Sequence, residues 1–258
     1  MTRKARLYTS IIVPTLNEEK FIGNLLRSLK NQTSKNFEVI IVDGGSSDRT
    51  LRIAQEYNVK TIVKPNTPEF ESRNIGGKIA KGEILLFTSA DIIFRRDTIQ
   101  KITRKFEKDD SLGAICGPGS LYNAPLWTKI EYTAYYALLE MWVRITKDFH
   151  GSTNFMAVRK KNFDRVGGFK NRIDADGNFL NNLGKRKKVK FISTSVLVSG
   201  RRARKMGFIG FNIHFLYILD IFLPFLRETK LIDFLKNTSL SYRFKIAAKR
   251  PRRERRNA

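Results

Sequence analysis

The sequence predicts an α/β fold: a mostly parallel central sheet flanked by helices, with an apolar and basic helical extension at the C-terminal end. Three observations predict it. Short β-branched runs, Ser10–Val13, Val39–Val42 and Ile84–Phe87, each stop at a polar cluster. Such runs alternate with helix-periodic segments at short spacing, the pattern of βαβ units with right-handed crossovers. After Lys205 the composition shifts to an almost continuous apolar stretch bracketed by basic clusters. In an open parallel sheet all strand C-termini share one edge, and ligands bind there. The clusters Asn17-Glu18-Glu19, Asp43 with Ser46 and Asp48, and Ser89-Ala90-Asp91 are therefore expected to converge on one site.

The elements follow in order. Ser10–Val13 is a buried-strand run closed by Pro14. Asn17 has cap chemistry, with Glu18 and Glu19 in the first turn, and the following helix sets Phe21, Ile22, Leu25, Leu26 and Leu29 on one face. Phe37–Val42 is the second strand. Gly44 and Gly45 supply a tight turn, and Ser47 or Asp48 starts a helix over Arg49–Tyr57. Val59–Val63 is a third strand, ended by Pro65. Glu71–Ala80 reads as a helix with Ile75 and Ile79 inward, and Gly82 separates it from the strand Glu83–Phe87. Asp97–Glu107 is helical, and Leu112–Cys116 is a strand broken by Gly117-Pro118-Gly119.

Trp127–Ile145 is a long aromatic helix, too polar to span a membrane. Asn154–Val158 is a strand, Asn162–Val166 a short helix ended by Gly167-Gly168, and Gly177–Leu183 helical. A basic loop, Lys185–Lys188, leads to a strand near Val189–Ser193. No internal repeat is present.

The expected organisation is a main α/β domain over 1–205, an apolar extension over 206–242 and a basic, disordered tail over 243–258. Phe208–Leu226 approaches the ~20 residues that cross a bilayer. It contains Asn212, His214 and Asp220, and Pro224 would kink it. A central Asp costs roughly 2.5–3.5 kcal/mol on insertion. On a helical wheel Asn212, Asp220, Arg227 and Lys230 fall within about 80° of one another. That pattern favours a helix lying in the membrane interface, or docked on a protein surface, over a spanning one.

Charge narrows the partners. The chain carries +25, and residues 201–258 hold 15 Lys/Arg against four Asp/Glu, a far denser positive charge than in the first 200. A polyanion is implied: a phosphorylated ligand, an anionic membrane surface or nucleic acid. The single cysteine, Cys116, excludes an internal disulfide and fits a reducing compartment. Arg3, Lys4 and Arg6 precede an apolar run, Ile11–Val13, too short for a signal-peptide core, so a cytoplasmic start is expected.

Four segments carry a family resemblance. IIVPTLNEE, IIVDGGSSDRT, SRNIGGKIAKGEILLFTSAD and VGGFKNRIDAD, in this order and spacing, resemble the family 2 inverting glycosyltransferases of GT-A fold, across roughly residues 8–202. The closing VLVSGRRARK resembles a subgroup whose catalytic domain ends in a Ser-x-Arg-Arg stretch before an apolar helix. The resemblance implies a Rossmann-like sheet, a nucleotide-sugar donor (UDP- or GDP-sugar), Mg2+ or Mn2+, and a hydroxyl or phosphate acceptor. The apolar, basic C-terminal part points to a lipid-linked acceptor at the cytoplasmic face of a membrane.

Such a transfer needs positive charge for the nucleoside diphosphate leaving group and one base for the acceptor hydroxyl. By resemblance, Pro14, Thr15 and Glu18 line the nucleotide pocket. Asp43 contacts base or ribose; its ordinary alternative is an Asx-turn. Arg73 reaches phosphate, and Lys78 is a second cation on the same helix; a solvated basic face is the alternative. Asp91 is the metal ligand. The family's Asp-x-Asp is here Ser89-Ala90-Asp91, so one carboxylate is replaced by a hydroxyl, and weaker metal affinity follows. Asp176 matches the catalytic base, with Asp174 in reserve and a turn Asp as the alternative. Arg201 and Arg202 close over the diphosphate or meet lipid head groups. Ser89 also keeps open a catalytically impaired sugar-nucleotide-binding protein. A nucleic-acid-binding role for the basic tail is disfavoured, because the strand-end clusters are acidic and no such motif is present.

Overall fold

A computed structural model describes residues 7–149, 154–170, 175–184, 188–192, 196–205 and 207. The chain divides into two units, Met1–Tyr122 with Lys129–Ser199, and Asn123–Thr128 with Gly200–Ala258. In the second unit the described part includes a helical turn at 201–205. The expected interfacial helix Phe208–Leu226 and basic tail 243–258 lie outside the described residues, as does Asp174. Among the described residues no helix is long and apolar enough to cross a membrane.

The first unit is built on β1 (Thr9–Thr15), whose Ile11, Ile12 and Val13 are fully buried because helices cover both faces of the sheet. The chain continues through α1 (Ile22–Lys30), β2 (Phe37–Asp43), α2 (Thr50–Gln55), β3 (Lys60–Val63), α3 (Glu69–Ile79) and β4 (Ile84–Thr88). There follow β5 (Ile92–Phe94), α4 (Thr98–Lys108), β6 (Leu112–Gly117), β7 (Ser120–Tyr122) and α5 (Leu126–Thr146). Then come β8 (Phe155–Arg159), α6 (Lys160–Val166), α7 (Ala175–Gly184), β9 (Lys188–Phe191) and β10 (Val196–Ser199).

Seven strands form one sheet in the order β3-β2-β1-β4-β8-β6-β9. Only β8 runs against its neighbours β4 and β6; the other six share a direction. The mostly parallel expectation therefore holds. Thr15, Asp43 and Thr88, the C-terminal residues of β1, β2 and β4, end on one edge, and β8 begins there, with Thr88 opposite Phe155.

Alternation along β1 sorts the layers. Ile11 and Val13 join a core with Leu25, Leu26 and Leu29 of α1, Ala54 of α2 and Ile99, Ile102 and Phe106 of α4. Ile12 faces the other way, against α3. Rings of Phe87, Phe163, Phe169 and Phe179 fill that second layer beneath α6 and α7.

Two local expectations are corrected, and one feature was unforeseen. Asn17 does not cap α1: that helix starts at Ile22 without a side-chain cap, and Asn17, at φ 56°, ties the β1 and β2 loops together. Its short side chain is consumed by Ser47. Ile75 and Ile79 of α3 are only half-buried; the inward face is Ser72, Arg73, Gly76 and Gly77. A Cβ on Gly76 would stand 2.4 Å from Ile12 Cγ2, so the helix lies too close to β1 for larger side chains. A second sheet, β5-β10-β7, was not expected; its strands of three or four residues carry too little periodicity to read.

Candidate active site

The β1 and β2 strand ends are joined by hydrogen bonds before any ligand is considered. Asp43 has no exposed surface. Its Oδ2 accepts from the Thr15 hydroxyl at 2.6 Å and the Ser46 hydroxyl at 2.6 Å, and its Oδ1 accepts from the amides of Gly45 and Ser46 at 2.9 and 2.7 Å. Four donors on one carboxylate make Asp43 the buried post of this loop. The Asx-turn geometry foreseen as its ordinary role is present, and Gly45 at φ 94° permits it. Thr15 is buried, Pro14 and Glu18 half-buried. The Glu18 amide donates to Thr50 Oγ1 at 2.7 Å and that of Glu19 to Asp48 Oδ2 at 3.1 Å. Partial burial pushes the Asp48 carboxyl up, yet hydrogen bonds from Thr50 and the Glu19 amide outweigh it and hold the group below its ordinary value.

Ser89 and Asp91 follow β4, both half-buried, and the Asp91 carbonyl accepts from the Ser199 amide at 3.2 Å. No group of three His, Cys, Asp or Glu side chains that could hold a metal exists among the described residues. One carboxylate with a neighbouring hydroxyl at a strand end still fits a hard divalent ion that arrives on a diphosphate, because such ions take one or two carboxylates plus phosphate and water oxygens.

Arg73 and Asp176 were assigned to opposite tasks, and the structure brings them together. Arg73 Nη1 donates to Asp176 Oδ1 at 3.0 Å, with both side chains almost wholly buried. Nη2 donates to Glu69 Oε1 at 2.6 Å, and the guanidinium lies 5.2 and 5.7 Å from the ring centroids of Phe70 and Phe169. Its Nε is buried without a hydrogen-bond partner among the described residues. Asp176 sits in the first turn of α7, near Cys116 of β6. Burial, then the charge of Asp176, push that thiol far up, which makes it inert.

Lys78 is exposed and away from the buried face of α3 that carries Arg73. Arg201 and Arg202 belong to the second unit, half-buried and exposed respectively. Two contributors were missed. Glu69 stands four residues before Arg73, a legible i,i+4 ion pair. Asn74 bonds the backbone of Phe169 in both directions, at 2.8 Å each, and no spacing announces that contact.

Comparison with known proteins adds the following. Residues 10–167, more than half of the chain, match the family described as Glycosyl transferase family 2. An uncharacterized glycosyltransferase of Haemophilus influenzae is 38% identical over 112 residues, which cover 42% of this chain and 38% of that protein's length. The mannosyltransferase PcManGT from Pyrobaculum calidifontis, solved with GDP-Man and Mn2+, has a TM-score of 0.65 at 19% identity, over 95% of this chain and 76% of that one. Residues 1–349 of Staphylococcus aureus TarS, solved with UDP-GlcNAc, have a TM-score of 0.59 at 18% identity, over 96% and 77%. At such identities the two structures share the fold with this chain, a GT-A arrangement.

Proposed function

The chain belongs to glycosyl transferase family 2, and from that premise we propose that it transfers a sugar from a UDP- or GDP-sugar to an acceptor hydroxyl or phosphate, with inversion. The observation that carries this reading is the convergence of three polar strand ends on one sheet edge, with a buried Arg73–Asp176 pair nearby on the covering helices. Two solved proteins of the same fold hold GDP-Man and UDP-GlcNAc.

Thr15, Pro14 and Glu18 form one wall of the nucleotide pocket, and Asp43 holds that wall rigid from beneath. Asp91 is the residue that would hold Mg2+ or Mn2+, with the Ser89 hydroxyl serving ribose or a metal-bound water; when bound, the ion would offset charge on the leaving diphosphate. Arg73 fixes Asp176 through Nη1. Asp176 accepts the proton of the acceptor hydroxyl as that oxygen attacks the anomeric carbon and the nucleoside diphosphate departs. Because Asp176 is only 2% exposed, acceptor binding has to open a path to it. The acceptor class favoured by the apolar and basic residues beyond Lys205 is lipid-linked, met at an anionic cytoplasmic membrane surface. Arg201 and Arg202 serve the diphosphate or the head groups, and Asp174 is the reserve base.

The test has two parts. A thermal-shift screen of UDP, GDP and their sugars, with and without Mn2+, is expected to raise the melting point with one base only, and more with metal. Asp91→Ala and Asp176→Asn are each expected to lower transfer at least about a hundredfold while the nucleotide-induced shift by the preferred base persists. Near-normal turnover in Asp176→Asn would reduce the buried pair to a structural role.

A further inference from the structure

One face of α5 is unexplained by the site. Ile130, Leu138, Met141 and Ile145 are 62%, 47%, 54% and 74% exposed, and Ala134 and Ala137 between them are exposed as well. At 100° per residue these six fall within an arc of about 100°. Scattered exposed aliphatic residues are ordinary, but a continuous stripe over four turns is not. The opposite face of the same helix carries the burial, through Tyr135, Tyr136, Leu139 and Val143.

Cations border the stripe on one side. Lys129, Arg144 and Lys147 are exposed. Arg144 and Lys147 also line a cavity of about 470 Å3, together with Lys188 and Lys190 of β9 and the rings of Phe149 and Phe191. The acidic groups there are Glu140, bonded to Arg144 at 2.7 Å, and Asp109, 3.4 and 3.5 Å from Lys188 and Lys190. Among the described residues these four cations stand against Glu140 and Asp109, with Asp148 next to Lys147 in the chain, so cations still outnumber carboxylates. An apolar stripe beside a positive groove matches an anionic bilayer, in which acyl chains lie next to phosphates. A second copy of this chain would bring the same positive charge to the same place.

We infer that α5 docks on an anionic lipid surface, its stripe in the acyl boundary and its basic groove on head-group phosphate. This contact uses no residue of the C-terminal extension and does not depend on the glycosyl-transfer reading.

The two tryptophans of the chain, Trp127 and Trp142, both lie on α5 and report on it selectively. The full chain is mixed with phosphatidylcholine vesicles containing phosphatidylglycerol, with brominated acyl chains. Quenched tryptophan emission is expected, together with at least about a tenfold loss of vesicle partition in Leu138→Glu/Met141→Glu. Both substituted residues are exposed. A second variant, Ile130→Ser/Ile145→Ser, is expected to weaken partition without added charge, should the first be misfolded by circular dichroism. Vesicle binding without quenching would place docking in the extension alone and overturn the inference. So would failure to bind these vesicles, or light scattering that shows a dimer dissociated by the Glu variant. Turnover of a soluble acceptor is read separately, so loss of docking and loss of catalysis remain distinct.

Discussion

At the scale of single residues, the Arg73–Asp176 pair decides the most. Two charges nearly out of water are held by one 3.0 Å hydrogen bond and a second carboxylate, Glu69. Removing one partner of such a pair strands the other, at about 3–5 kcal/mol. Arg73→Met and Asp176→Leu are each expected to cost that much in urea denaturation, and the double variant clearly less than their sum; strict additivity would mean the charges are not coupled. Ser89 sets the second prediction. Restoring a carboxylate with Ser89→Asp is expected to lower the Mn2+ concentration for half-maximal transfer about three- to tenfold, read from a metal titration. Both residues were legible as types in a motif. That Arg73 and Asp176 touch was not, because 103 positions separate them and no local pattern encodes the approach of α3 to α7.

At the scale of elements, α3 shows how a helix is seated by what it lacks. Gly76 meets Ile12 and Gly77 meets Phe163, where an added Cβ would stand 2.4 and 2.8 Å away. Gly76→Ala is expected to destabilise the fold by about 1–3 kcal/mol through overpacking, despite the better helix propensity of alanine. Lys78→Ala on the exposed side of the same helix is expected to stay within about 0.5 kcal/mol. Thermal melts of both variants check the contrast. The long elements, β1, β2, β4, α1, α4 and α5, were readable because each carries several residues of one period. The α3 face was misread because glycine has no hydrophobicity to contribute to a pattern, and β5, β7 and β10 are too short to have one.

At the scale of the whole molecule, charge is the dominant property. A chain at +25 is drawn to anionic surfaces over distances set by salt, about 10 Å at 0.1 M. Binding to phosphatidylglycerol vesicles is therefore expected to fall at least about tenfold between 0.05 and 0.5 M NaCl in a sedimentation assay. Removing residues 206–258 is expected to weaken it further while UDP or GDP binding persists. Unchanged binding across that salt range would make apolar contact, not charge, the main attraction.

The sequence by itself determined the order of the long strands and helices, the single edge on which their polar ends meet, and, through four motifs, the family. The first two follow from local periodicity and from turn residues that act over a few positions, the family from the resemblance those motifs carry. Tertiary structure alone decided that Asp43 is a buried post with four donors, that Arg73 holds Asp176, that glycines seat α3, and that α5 exposes an apolar stripe. Those properties depend on which distant surfaces meet. Burial and pairing are set by packing across the sheet, and no window of neighbouring residues contains that information.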